Sequence, residues 1–239
     1  PNGSGKTTMM RCICGLLSPE KGSIECDCEN IGYLPQQFGA MKSLTVYETM
    51  RYFATLKKIP KSNQDNGIRY CIDLVNLSDK IKNKVGSLSG GMVRRLGIAQ
   101  AIMGNPEIVL FDEPTAGLDP EERVRFKSLL RKIKNDKTII ISTHIVSDVK
   151  SICDEIVIIN EGRNVVQGTC SDITSIGNEK VFLLDEEYEN NLEGNYYVKD
   201  RISKDNKNYI IVLSSNFIEQ GVSINADIED GYLCALKDI

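Results

Sequence analysis

"EIVLFDEPTAGLDPEERVRFKSLLRKIKNDKTIIIST" (residues 107–143) decides the fold, because it holds a strand, a turn, a helix and a second strand in that order. The apolar run Ile108–Phe111 has the length and branching of a buried strand and ends in two carboxylates, Asp112 and Glu113. Asp119 is a helix-capping residue and Pro120 suits a first helical position, so a helix is expected across residues 119–134. "KTIIIST" then supplies another apolar strand. Strands joined through helices pair in parallel, and most of the chain repeats this alternation. Ligands of such sheets bind at the strand C-termini, which is where Asp112 and Glu113 stand.

The chain opens on "PNGSGKTT" (residues 1–8), which fits the phosphate-binding pattern G-x-x-x-x-G-K-[ST] at Gly5, Lys6 and Thr7, provided one more glycine stands before Pro1. The sequence is therefore expected to be a piece of a longer reading frame. Backbone N–H groups around Asn2, Gly3, Ser4 and Gly5 would cradle phosphates, Lys6 would reach the β- and γ-oxygens, and the Thr7 hydroxyl would ligate Mg²⁺. Thr8 adds a further phosphate hydrogen bond. Asp112 at the strand end would hold the Mg²⁺ shell, and Glu113 beside it would orient or deprotonate water. An ordinary acidic pair at a strand end is the plainer alternative, which the phosphate loop disfavours.

Composition sets the outer limits. The 239 residues are 41% apolar and 26% charged with a net charge of −4, which suits one globular domain with a smaller appendage. No dense Lys/Arg run suggests nucleic acid or a polybasic membrane patch. The longest apolar runs, "TIII" at 138–141 and "IVII" at 156–159, fall far short of the roughly 18 residues that span a bilayer. Cys12/Cys14 and Cys26/Cys28 form two C-x-C pairs. Side chains two apart on a helix diverge, and zinc sites more often use C-x₂₋₄-C, so these cysteines read as small buried hydrophobes of a reducing compartment rather than ligands.

Along the chain, "KTTMMRCICGLL" reads as a helix with its N-terminus toward the phosphates, and strands are expected around "GSIEC" and "IGYLP". Thr45-x-x-Glu48 is a capping box opening a helix that buries Val46, Met50, Phe53 and Ala54. "SNQDNG" (62–67) is a polar break before a helix carrying Ile68, Cys71, Ile72 and Val75. "LSGGM" (88–92) begins a third helix with a serine and two glycines, a second anion site distant from the phosphate loop. One nucleotide cannot readily use both within one chain, so two chains are expected to sandwich it, each completing the other's site. A hairpin turning at Glu161–Gly162, a short helix at "SDITSI", strands at "KVFLL" and "NYIIVLS" and a final amphipathic stretch "ADIEDGYLCALKD" follow, with a compositional boundary near residue 177.

In this order the chain resembles the nucleotide-binding domain of ABC ATPases: "PNGSGKTT" as Walker A, "LPQ" as Q-loop, "LSGGM" as signature, "IVLFDEP" as Walker B, "AGLD" as D-loop and "STH" as H-loop, with order and spacing agreeing through residue 168. The resemblance implies an ATPase using ATP and Mg²⁺. It implies that Gln36 senses Mg²⁺ and water, that Ser89, Gly90 and Gly91 bind the partner's γ-phosphate, that Asp119 communicates across the dimer, and that His144, the single histidine, contacts the γ-phosphate. The fold implied is α/β of the P-loop NTPase kind. Residues 1–177 would form the ATPase domain, a mostly parallel sheet with a helical subdomain inserted over about 44–104, and residues 178–239 a small α+β appendage. Met92 replaces the signature's usual glutamine. The family's first strands, adenine-stacking aromatic and first loop glycine would lie upstream of Pro1, and the segment between Cys26 and Gly32 is shorter than in many relatives, which reduces the antiparallel edge.

The stretch around "LSGGMVRRLGIAQAIMGNPEIVLFDEPTAGLDP" is similar to bacterial exporters of the ABC-2 type, and the tail resembles their appendage. That implies a subunit at the cytoplasmic face of the membrane, paired with a second copy and with transmembrane permease subunits, without nucleic acid. Phe38, Tyr47 and Met50 would either form a groove for a permease helix or pack into the helical subdomain. The competing class is soluble ABC proteins of ribosomes or DNA, whose tandem cassettes or long coiled coils have no counterpart here. A non-hydrolysing nucleotide sensor is disfavoured by Glu113 and His144.

Overall fold

Helix α1 (Lys6–Ile13) is followed by strand β1 (Ile31–Leu34), three helices, α2 (Val46–Leu56), α3 (Lys61–Leu74) and α4 (Gly90–Ile102), and then β2 (Ile108–Asp112), α5 (Pro120–Ile133) and β3 (Thr138–Ser142). The computed structural model describes residues 1–26, 31–134, 137–150 and 152–239. The chain divides into two compact units, residues 6–144 and residues 1–5 with 145–239. This division falls at Ile145, ahead of the compositional change near residue 177.

In the unit of residues 6–144, β1, β2 and β3 form one sheet in that order, and both pairs are parallel, as the helical crossovers require. The register sets Leu34 beside Phe111 and Asp112 beside Ser142, so the three C-terminal ends are level. Val109, Leu110 and Phe111 are fully buried, which is why β2 reads as an unbroken apolar run instead of an alternation. Phe111 meets Phe126 of α5 edge-on at 5.6 Å. Burying side chains of this size contributes about 1.5–3 kcal/mol each.

Helix α4 lies close against β1 because two glycines permit it. A Cβ on Gly32 would stand 2.1 Å from the Ala101 carbonyl, and one on Gly97 would stand 2.7 Å from Leu34 and 2.9 Å from Phe38. The expected capping box is present: Glu48 N–H donates to Thr45 Oγ1, and Thr45 N–H donates to Glu48 Oε2. Val46, Met50 and Ala54 are buried and Phe53 is half-buried against Phe38, with ring centroids 5.9 Å apart. Met50 therefore belongs to the core, while Tyr47 is half-buried and its hydroxyl donates to Asp65.

Two expectations are corrected. "SNQDNG" is no break: it forms the first two turns of α3, which starts after Pro60. Its polar side chains are the solvated face of a helix whose buried face begins only at Ile68. Residues 22–26 form no strand; Ile24, their one large apolar side chain, is 41% exposed, so the segment has little to bury against a sheet. Cys28 and most of the Cys26–Gly32 segment lie outside the described residues.

The other unit contains α6 (Val146–Val149), the antiparallel hairpin β4 (Ile156–Asn160) and β5 (Arg163–Gly168), α7 (Cys170–Ser175), β6 (Val181–Asp185), β7 (Tyr196–Lys204), β8 (Lys207–Ser214), β9 (Val222–Ser223) and α8 (Ile228–Lys237). Glu161 and Gly162 both have positive φ, as a tight hairpin turn needs. The last four strands form an antiparallel sheet in the order β7-β8-β6-β9. Phe182, Leu184, Ile210 and Val212 fill one face, and Val181, Leu213 and Cys234 the other. Helix α8 packs on α7 so closely that a Cβ on Gly231 would stand 1.8 Å from the Ile173 carbonyl.

Candidate active site

The level strand ends bring together Asp112 and Glu113 at the end of β2, Ser142 and His144 at the end of β3, and Lys6 and Thr7 at the start of α1. Asp112 is fully buried and has both carboxylate oxygens engaged: the Thr7 hydroxyl donates to Oδ2 at 2.8 Å and the Ser142 hydroxyl to Oδ1 at 2.5 Å. A hydroxyl and a carboxylate within 3 Å of each other are the hard oxygen donors that Mg²⁺ takes. The residues thus fit the metal, which Thr7 and Asp112 would hold between them.

Glu113 is 4% exposed and faces two cationic or donor groups. His144 Nδ1 lies 3.0 and 2.9 Å from its two carboxylate oxygens, and Lys6 Nζ lies 3.8 Å from Oε1. Its backbone is held as firmly. The Glu113 N–H donates to the carbonyl and the hydroxyl of Ser142, with Glu113 at a φ of +50° that non-glycine residues seldom adopt. A carboxylate held between a lysine and an imidazole at a strand C-terminus can take a proton from a water beside it.

The loop ahead of Lys6 has the backbone its glycines promise, with φ of +76° at Gly3 and +100° at Gly5. Ser4 between them is buried, its hydroxyl without a hydrogen-bond partner among the described residues. Asn2 and Thr8 flank these positions. Gln36 follows β1 after Pro35; it is exposed and its backbone carbonyl accepts a hydrogen bond from Arg94.

Ser89 caps α4, accepting from the Met92 N–H at 3.3 Å, and Ser89 and Gly90 are exposed. Among the described residues, no hydrogen bond or ion pair joins Ser89, Gly90 or Gly91 to Lys6, Asp112 or Glu113. Asp119 caps α5 by accepting from the Glu122 N–H at 2.8 Å, so its carboxylate has a local role in the chain that carries it.

Two residues to which the motifs gave no role belong to this group. Ser142, the first residue of the "STH" stretch, links Asp112 to the Glu113 backbone. Arg94 is 9% exposed and donates to the carbonyls of Pro35, Gln36, Asp112, Glu113 and Pro114. Burial pushes its guanidinium below the usual range, while the charges of Asp112 and Glu113 pull the other way. An arginine inside the apolar stretch "MVRRLGIAQAI" was the available hint.

The family model described as ABC transporter matches residues 1–116. The chain is 32% identical over 235 residues to the uncharacterized ABC transporter ATP-binding protein YxlF of Bacillus subtilis (strain 168), covering 95% of this chain and 79% of that protein. It is 34% identical over 183 residues to Nod factor export ATP-binding protein I of Burkholderia lata, covering 70% of this chain and 59% of that protein. Among solved structures, the dimeric post-hydrolysis state of the ATP-binding cassette MJ0796, bound to ADP and Pi, matches with a TM-score of 0.64 and 26% identity over 71% of this chain and 82% of that one. Identity on this scale, carried through nearly the whole chain and resting on the same parallel-sheet core, makes it a member of the ABC transporter ATP-binding proteins, a family of ATPases.

Proposed function

We propose that this protein hydrolyses ATP in a head-to-tail dimer and so drives export through a separate membrane permease. The observation that carries the reading is the single group formed by Thr7, Asp112, Glu113, Lys6 and His144, set apart from an exposed Ser89. Asn2 to Thr8 bind the triphosphate, with Gly3 and Gly5 providing backbone curvature and Lys6 the charge. Thr7 and Asp112 would hold Mg²⁺, with Gln36 to sense it, and the ion would supply charge neutralisation for the phosphates.

Glu113 accepts the proton of the attacking water, and His144 fixes the Glu113 carboxylate and faces the γ-phosphate. Ser142 keeps Asp112 and Glu113 in register. Ser89, Gly90 and Gly91 of one chain complete the site of the other, and Asp119 lies at the seam between them. Export is favoured by the likeness to an export ATP-binding protein, and a permease partner would hold this chain at the cytoplasmic face of the membrane. Among the described residues no helix is long and apolar enough to cross a membrane. Residues 178–239 would form the appendage of the ATPase domain.

The test is phosphate release by the purified protein. Turnover should require Mg²⁺ and should rise more steeply than protein concentration, because two chains build each site. Hydrolysis strictly proportional to protein concentration down to dilutions where only monomer exists would refute the composite site.

A further inference from the structure

Helix α4 carries Ser89 at its N-terminus and Arg94 on its next turn. All five N–H donors of Arg94 are engaged: Nη2 with the Asp112 and Glu113 carbonyls, both at 2.7 Å, Nη1 with those of Pro35 and Gln36, both at 2.9 Å, and Nε with that of Pro114 at 3.2 Å. A guanidinium is the side chain with this many donors in one rigid plane, and Lys could serve at most three. The carbonyls it gathers belong to the residues that must hold metal and water, Gln36, Asp112 and Glu113, and to the prolines beside them. The fork thus fixes the end of β1 relative to the end of β2, and ties both to the helix that presents Ser89.

We propose that Arg94 is a positioning residue for hydrolysis, setting Gln36, Asp112 and Glu113 relative to one another and transmitting the position of the signature turn to them. This rests on the ATPase reading above. Arg94 touches no substrate atom in this role, and the phosphate loop does not depend on it. Its removal should therefore lower kcat while leaving the affinity for ATP nearly intact.

The experiment compares wild type, Arg94→Lys and Arg94→Met for kcat, KM for ATP, and the Mg²⁺ concentration giving half-maximal rate, with thermal unfolding measured on each. Misplacing catalytic groups by about 1 Å costs on the order of 10²-fold, so kcat of Arg94→Met should fall by about that factor. Arg94→Lys should recover part of it, KM should stay near the wild-type value, and the Mg²⁺ requirement should rise in both variants. A folded Arg94→Lys with wild-type kcat and Mg²⁺ dependence overturns the proposal, as does a loss confined to KM. Should neither variant fold, NMR of the wild type decides: slowly exchanging Arg94 guanidinium protons that shift when Mg²⁺ and a non-hydrolysable ATP analogue bind support it, and rapidly exchanging or unmoved ones overturn it. Wild type that binds ATP without turnover removes the ATPase reading and this inference together, whereas wild-type turnover beside an unaffected Arg94→Lys removes only the inference.

Discussion

Glu113 shows how one residue can be strained by its neighbours for a purpose. A left-handed φ of +50° costs a non-glycine residue about 1–2 kcal/mol, and here two hydrogen bonds from its N–H to Ser142 and one from Arg94 to its carbonyl impose it. The result is a carboxylate turned toward Lys6 and His144 at the strand end. Glutamine keeps that shape and can still accept from His144, but it cannot take a proton. Glu113→Gln should therefore slow turnover by about 10²- to 10⁴-fold with ATP binding retained. The variant should accumulate as a dimer with ATP and not with ADP; size-exclusion chromatography showing monomer at every ATP concentration would remove Glu113 from its role. Lys6, Thr7, Asp112, Glu113 and His144 were legible in the sequence because each stands at a fixed offset within a motif. The roles of Ser142, although it stands in "STH", and of Arg94 were not, since they act on a neighbouring strand and on backbone carbonyls, and such partners have no sequence spacing.

Among the elements, α4 carries the tightest demand, being buried along residues 96–102 with its C-terminal carbonyls facing the interior. Lys57 at the end of α2 answers it, donating to the carbonyls of Gln100 at 2.7 Å, Ala101 at 3.2 Å and Met103 at 3.0 Å, where the helix dipole also favours a cation. Burial pushes Lys57 down to about 8, with Cys71 nearby and itself pushed up to about 11. Lys57→Met should destabilise the protein by about 1–3 kcal/mol by leaving those carbonyls without a donor. The pH dependence has a definite sign. Above pH 8 the folded state sheds the Lys57 proton while the unfolded chain keeps it to about 10.4, so wild type gains on Lys57→Met as pH rises through that window, by at most about 1.4 kcal/mol per unit. Urea unfolding of both proteins at pH 7.5 and 9 measures the gap; a gap that narrows at pH 9 contradicts the assignment. The Cys71 thiol works the opposite way in both proteins, and losing Lys57, whose charge lowers it, does not reverse the sign of the gap. Helices with a capping box or an apolar period were readable in the sequence, as were β2 and β3. The start of α3 was hidden because its first two turns face solvent, and β7 because its side chains are mostly polar. The turn Asp205-Asn206, both at positive φ, ahead of the expected strand "NYIIVLS" was the signal that could have revealed β7.

In the whole molecule, the proposed head-to-tail dimer requires the signature of one chain to complete the carboxylate group of the other. Ser89 is exposed at the end of α4, while Glu113 is buried behind Lys6 and His144. If each site takes its signature from one chain and its carboxylate from the other, two separately inactive variants must rescue one another. Aspartate at position 89 keeps the helix cap, since Asp and Ser cap equally well, but it puts a negative charge where the opposite γ-phosphate should bind. Ser89→Asp should therefore fold, bind ATP as a monomer like wild type, and fail to hydrolyse it. Mixed with Glu113→Gln before ATP is added, it should form hybrid dimers. In each hybrid, one site combines an intact Ser89 with an intact Glu113, and the other carries both defects. Random pairing of equal amounts makes half of all dimers hybrid, with one working site in two, so the mixture should recover about one quarter of wild-type turnover. Phosphate release across mixing ratios, with a maximum at equal amounts, is the readout. A mixture no more active than its components, in subunits shown to exchange, would mean that each chain builds its site alone.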